Sequence, residues 1–198
     1  MLILASQSPA RAALLRAAAI PFEVRPAFID EDQIKRECWA TNLSAQDTAI
    51  RLAQLKARRI TAPGLMVLAA DQLLVCDGSW FDKPPTLAAA HHHLLLLRGR
   101  PHDLVTAMVL FQDGAEIWRH IATPRLHMRD LSDAFIDEYL AIEGEALLTT
   151  VGAYRLEGLG IHLFDRIAGE HSAILGLPLL PLLNFMRNAG TASGVLQP

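Results

Sequence analysis

Only two cysteines, Cys38 and Cys76, occur among the 198 residues, too few for a disulfide framework or a thiolate zinc site. That usage fits a reducing compartment, so the cytoplasm is the expected location. The N-terminal MLILASQSPAR has a short apolar start with no basic segment before it; neither a signal peptide nor a membrane anchor is expected. A net charge of −3 argues against an extended nucleic-acid or membrane-binding face, and neither partner is expected. A polyanionic ligand would then need a metal ion or a focused cluster of Lys and Arg. Internal repeats, low-complexity linkers and a Gly-x-Ser-x-Gly elbow are all missing, which leaves one globular domain over 1–198 and makes a serine nucleophile an unneeded assumption. At 52% hydrophobic residues, that domain can bury a sizeable core.

What is present centres on 66–84, MVLAADQLLVCDGSWFDKP. Met66 to Ala70 has strand character and is expected to end at Asp71. Ligands of α/β proteins gather at the carboxyl ends of strands, so Asp71 is a catalytic candidate. CDG predicts a turn, and Pro84 and Pro85 hold Lys83 in an extended segment, where its ammonium can serve the same chemistry.

Taken in order, Leu2 to Ala5 is a short buried strand, followed by Ser8 and Pro9 as a helix start. Backbone N–H groups there, with Ser6, Ser8 and Arg11, could form an anion cradle; the alternative is that the serines cap and Arg11 is solvated. The acids Asp30, Glu31 and Asp32 are expected on a loop, either merely solvated or contributing to a Mg²⁺ site. Ser44 to Ile60 predicts a helix whose apolar stripe of Ala45, Ala49, Leu52 and Ala53 continues into Lys56, a phosphate contact or a snorkelling side chain. Thr86 to Leu97 predicts a third helix, capped by Gly99. Its His91, His92 and His93 face different directions and do not make a metal box. Residues 102–111 and 116–128 predict a hairpin of two long strands, and Leu131 to Ile142 another helix. The glycine-punctuated last third is expected to form short strands before a closing helix from Pro178 to about Asn188. Glu157, set among apolar neighbours, is expected to be a buried carboxylate in need of a donor-rich partner. Together these elements predict an α/β protein with a mixed sheet flanked by helices.

LILASQSPAR, IDED, Lys56-Ala57, AADQ, DKP, RGRPH, GAYRLEGLGIHLF and GLPL, in this order and spacing, resemble the Maf-like nucleoside triphosphate pyrophosphatases. The likeness runs to about Gly190, with 191–198 expected as a flexible tail. It implies an α/β/α fold with two lobes around a deep cleft, frequent homodimerisation, and hydrolysis of a nucleotide to monophosphate and pyrophosphate with a divalent cation (Mg²⁺, Mn²⁺ or Co²⁺). By the same resemblance Asp71 supports the reaction and shares a metal with Glu31, while Ser6, Ser8, Arg11, Lys56 and Lys83 meet the phosphates. Ala10, Gln72 and Glu157 fall at the positions that divide the family by base, and LEGLGIHLFDRIAG is similar to the 7-methyl-GTP branch. An acceptor-only Glu157 suits the N–H donors of guanine. Branches acting on dTTP, UTP or other nucleotides, and a nucleotide-binding regulator of septum formation, stand as alternatives.

Overall fold

The computed structural model describes residues 1–190, so the expected tail at 191–198 lies outside the described residues. Hydrogen-bonded strands follow the order β2 (Phe22–Val24), β1 (Leu2–Leu4), β3 (Met66–Cys76), β5 (Pro101–Gln112), β7 (Arg125–Met128), β8 (Phe164–Ala168), with β4 (Ser79–Phe81) on β3 and β6 (Ala115–Ala122) on β5. The chain divides into two compact units. The first comprises Met1–Asp71, Thr106–Ala122 and the chain from Glu170 onward; the second comprises Gln72–Val105 and Thr123–Gly169.

In the first unit, β1 (Leu2–Leu4) pairs in parallel with β2 (Phe22–Val24) and with β3 (Met66–Cys76). The connections are helical: α1 (Pro9–Ala17) after β1, then α2 (Glu31–Ala40) and α3 (Ala45–Arg58) before β3. Parallel strands covered on both sides are apolar throughout, and period-two alternation divides their side chains between two cores. Leu2, Leu4, Leu68 and Ala70 pack with Ala12 and Leu15 of α1 and with Leu182 and Met186 of the closing helix. Ile3, Ala5, Val67 and Ala69 pack on the other side with Ala53 and Ala57 of α3. Asp71 continues the second series, 67-69-71, and therefore faces α3.

The helix starts follow the capping logic of the sequence. Ser8 accepts a hydrogen bond from the Arg11 N–H with Pro9 at the first helical position, and Ser44 caps α3 in the same way. Asp30, Glu31 and Asp32 do not lie on a loop. Asp30 caps α2 by accepting from the Gln33 N–H at 2.9 Å, and the other two occupy its first turn, where acids offset the positive end of the helix. Only Cys38 of α2 is fully buried, so the helix carries no apolar stripe to betray it.

In the second unit, β3 runs on to Cys76 and turns at Asp77-Gly78, both at positive φ, into the antiparallel β4 (Ser79–Phe81). Asp71 therefore sits inside a strand and not at its end. α4 (Leu87–Leu97) starts at Thr86 and stops before Gly99 in left-handed conformation, as expected. Its three histidines diverge: His91 reaches Asp137, His92 is exposed, and His93 meets the edge of Phe81.

The expected two-strand hairpin is three strands. β5 (Pro101–Gln112) pairs with β6 (Ala115–Ala122) through 106–112 and with β7 (Arg125–Met128) through 101–103. The break falls at Pro124, which has no N–H to give the ladder and contributes only its carbonyl, to the Leu104 N–H. After α5 (Asp133–Glu143), the glycine-rich stretch forms 3-10 turns at Gly144–Thr149, Val151–Ala153 and Leu159–Leu163, with one strand, β8 (Phe164–Ala168). Positive φ at Gly144 and Gly152 coils the chain where short strands were expected. The short α6 (His171–Ile174) and the predicted closing helix, α7 (Leu179–Asn188), complete the described residues in the first unit.

Candidate active site

The apolar stripe of α3 ends in Lys56, and its buried stem delivers the ammonium to the face of β3 that carries Asp71. Lys56 Nζ lies 2.6 Å from Asp71 Oδ1 and 2.8 Å from Glu31 Oε1. Lys56 and Asp71 are buried, at 8% and 3% exposure, whereas the Glu31 side chain is 40% exposed at the start of α2. A buried charge needs a partner, and here one cation serves two acids. Asp71 Oδ2 is also buried, yet it has no hydrogen-bond partner in the structure. A carboxylate oxygen left bare inside a protein costs free energy unless something arrives to use it.

Ser6 and Arg11 lie behind this cluster. Arg11 Nε donates to the Gly176 carbonyl at 2.8 Å, and Nη1 donates to the Ala70 carbonyl at 2.9 Å and to Ser6 Oγ at 3.2 Å. Ser6 Oγ accepts the Ser8 N–H as well, which folds the loop before α1 back on itself. Burial pulls the Arg11 pKa down from its ordinary value while Asp71 and Glu31 pull it up, and a guanidinium remains charged under that balance. Two cations, Arg11 and Lys56, thus stand against two anions, Glu31 and Asp71.

The arrangement suits a hard divalent cation. Magnesium-type sites use one or two carboxylates and complete their shell with water and substrate phosphates. Glu31 and Asp71 offer that donor set. Among the described residues no group of three His, Cys, Asp or Glu side chains forms a cage.

The other residues singled out by sequence are placed differently. Ser8 and Ala10 belong to the start of α1, half-buried in the same unit. Lys83, Gln72 and Glu157 belong to the second unit. Lys83 is exposed on the segment after β4, and Gln72 follows Asp71 on β3. Glu157 is not buried as expected. Its side chain is 39% exposed, and Oε1 lies 3.5 Å from Arg155 Nε. The acid taken out of solvent there is Glu143, which sequence reasoning missed. Its Oε1 accepts the Leu159 N–H at 2.8 Å, and its Oε2 accepts from Arg155 Nη1 at 3.2 Å. The only hint was Gly158, where an added Cβ would stand 2.6 Å from Glu143 Oε1.

The model of the family described as Maf-like protein matches residues 1–189. The chain belongs to the Maf-like family. It is 54% identical over 188 residues to a nucleoside triphosphate pyrophosphatase of Granulibacter bethesdensis, covering 94% of this chain and 95% of that one. A protein of the same name from Rhodospirillum rubrum is 47% identical over 190 residues, covering 95% and 94%. A solved nucleoside-triphosphatase / dITP/XTP pyrophosphatase from Mycobacterium abscessus aligns over 97% of this chain and 96% of its own, at 15% identity and a TM-score of 0.42. Among the described residues of this Maf-like chain, no helix is long and apolar enough to cross a membrane.

Proposed function

We propose that this Maf-like chain, a nucleoside triphosphate pyrophosphatase as its relatives at 45–54% identity are named, takes 7-methyl-GTP as its substrate. The observation that carries the reaction is the buried Asp71, with Oδ1 held by Lys56 and Oδ2 bare. In this reading, a water hydrogen-bonded to Oδ2 gives up its proton there as its oxygen attacks phosphorus. The α–β phosphoanhydride bond breaks, leaving the nucleoside monophosphate and pyrophosphate. Lys56, 2.6 Å from Oδ1, orients the carboxylate before the step.

The phosphates bring more negative charge than Arg11 and Lys56 can offset, since both already face acids. The hydroxyls of Ser6 and Ser8 and the Ala10 N–H at the start of α1 supply donors, and Lys83 supplies a further cation. Glu31 and Asp71 would hold a divalent cation, Mg²⁺, Mn²⁺ or Co²⁺, which neutralises developing phosphate charge when bound. Glu157 supports guanine because a carboxylate only accepts hydrogen bonds and the guanine edge donates them; a methylated base adds a positive charge. The small Ala10 and the amide of Gln72 are assigned to the same discrimination.

Pyrophosphate release measured across 7-methyl-GTP, GTP, UTP and dTTP, with each of the three metals, tests both levels. The expected result is the highest kcat/KM for 7-methyl-GTP. A preference for UTP or dTTP would overturn the base assignment, and no pyrophosphate from any of them would overturn the reaction.

A further inference from the structure

We infer that Arg11 is a positioning residue for Asp71, acting by completing the sheet where β1 runs out. The inference rests on Asp71 being the reaction-supporting acid. In the parallel ladder the Ala5 N–H donates to the Leu68 carbonyl, and Leu4 stands opposite Leu68. The pattern advances two residues at a time, so the next carbonyl on that edge is Ala70, and its regular donor would be the N–H of Gln7. The chain has left the sheet by then, because Ser6 Oγ accepts the Ser8 N–H and Ser8 caps α1. Ala70 is fully buried, and a buried carbonyl without a donor is costly. Arg11 Nη1 takes the missing place at 2.9 Å.

That carbonyl belongs to the peptide joining Ala70 to Asp71, so the guanidinium fixes the plane from which the Asp71 side chain departs. The other two bonds make the guanidinium rigid. Nη1 also holds Ser6 Oγ, and Nε is anchored on the Gly176 carbonyl. Gly176 itself leaves the room: its φ is +90°, and an added Cβ would stand 3.2 Å from Arg11 Nε and 3.4 Å from Nη2. One planar fork thus ties the serine loop, the strand of Asp71 and the segment before α7. A lysine, with a single tetrahedral head, cannot reproduce three such directions.

The test is steady-state kinetics of Arg11→Ala, Arg11→Lys and Gly176→Ala in the full chain, with Asp71→Asn in parallel. A positioning role predicts that Arg11→Ala lowers kcat by about a hundredfold while KM moves by less than about threefold, because misplacing a reacting group costs rate before binding. Arg11→Lys should be as slow as Arg11→Ala, and millimolar guanidinium ion should restore part of the Arg11→Ala rate. Gly176→Ala retains the arginine and its charge but crowds the fork, and should lower kcat in the same sense. A rise in KM at unchanged kcat, or recovery by lysine, would make Arg11 a phosphate contact and overturn the inference. Should Arg11→Ala fail to fold, Arg11→Lys and Gly176→Ala decide, and a folded Gly176→Ala with wild-type kcat overturns it. Near-normal turnover in Asp71→Asn would instead overturn the reading of the acid, which separates the two failures.

Discussion

Asp71 and Glu157 are both carboxylates that the sequence marks as functional, and the two units hold them in opposite ways. In the first unit Asp71 is buried, its Oδ1 pinned 2.6 Å from Lys56 and its Oδ2 bare. In the second, Glu157 is half exposed, 3.5 Å from an Arg155 that is itself anchored on Glu143. Dry surroundings strengthen an electrostatic contact and make a missing partner expensive, whereas solvent weakens both effects. A group that must do the same chemistry in every turnover gains from the first setting, and a group that distinguishes one base from another can work in the second. The buried polar groups follow the same division. The first unit buries charge as a pair, Lys56 with Asp71, and the second buries His102 neutral against Tyr154, with Nε2 2.9 Å from the phenol oxygen.

Replacing Asp71 with Asn tests the strong side of this contrast. The amide is nearly isosteric but cannot take the proton, so turnover should fall on the order of 10²–10⁴-fold with little change in KM. Near-normal pyrophosphate release would remove Asp71 from the chemistry. Lys56→Ala should come next, and it should act on the fold as well as on the rate. It leaves Asp71 buried without its cation and strips Glu31 of the same partner, for a loss of about 3–5 kcal/mol in a denaturant titration. The paired control is Arg155→Ala in the second unit: half-exposed Glu157 loses little, and buried Glu143 loses a cation but keeps the Leu159 N–H, so a smaller loss is expected. Equal losses at the two positions would erase the distinction between the units.

His102 sharpens the comparison through pH. Burial pushes its pKa down to about 4, against about 6.5 when the chain is unfolded. Between those values the unfolded chain binds a proton that the folded one refuses, so stability rises with pH across the window. The contribution is present above pH 6.5 and is lost as pH falls toward 4, amounting to roughly 3 kcal/mol if no other group compensates. Melts of wild type and His102→Gln over that range should converge on acidification. Parallel curves would show that His102 is not buried neutral.

Much of this arrangement was legible in the sequence, and the parts that were not share a cause. Ser8-Pro9 announced α1, and the stripe from Ala49 to Ala53 pointed Lys56 inward, because caps and periodicity are local signals. The face of β3 that carries Asp71 was not read from the sequence; it follows from which residues of the strand α3 covers. The end assigned to β3 at Asp71 was wrong, since an acid inside a buried strand is tolerated only when another element brings a cation, and that partner is fifteen residues upstream. Helix α2 went unread because it buries almost nothing. The ladder role of Arg11 depends on where β1 leaves the sheet, and Glu143 became visible only through the space that Gly158 leaves for it.

Glu157→Gln is the smallest expected effect and the most direct probe of the exposed side. The substitution keeps size and one acceptor oxygen but replaces the other with an N–H₂ donor, which would face the donors of a guanine edge. It also removes the charge that a methylated, cationic base would meet. Because the site is half exposed, solvent screens both changes, and the expected loss is about tenfold in kcat/KM for 7-methyl-GTP, or ~1.4 kcal/mol. GTP should lose less, since it lacks the positive charge, and UTP or dTTP should be unaffected or improve. The effect should be one of substrate ratio, with kcat on a pyrimidine substrate kept, because Asp71, Lys56 and Glu31 are untouched. A uniform fall across all four nucleotides would mean that the 155–159 turn had lost its shape when Arg155 lost a partner. Melting temperature separates that case from discrimination, since Glu143 still holds the Leu159 N–H in the variant. An unchanged ratio in a protein of unchanged stability would take Glu157 out of base recognition and leave the chemistry of the first unit as it stands.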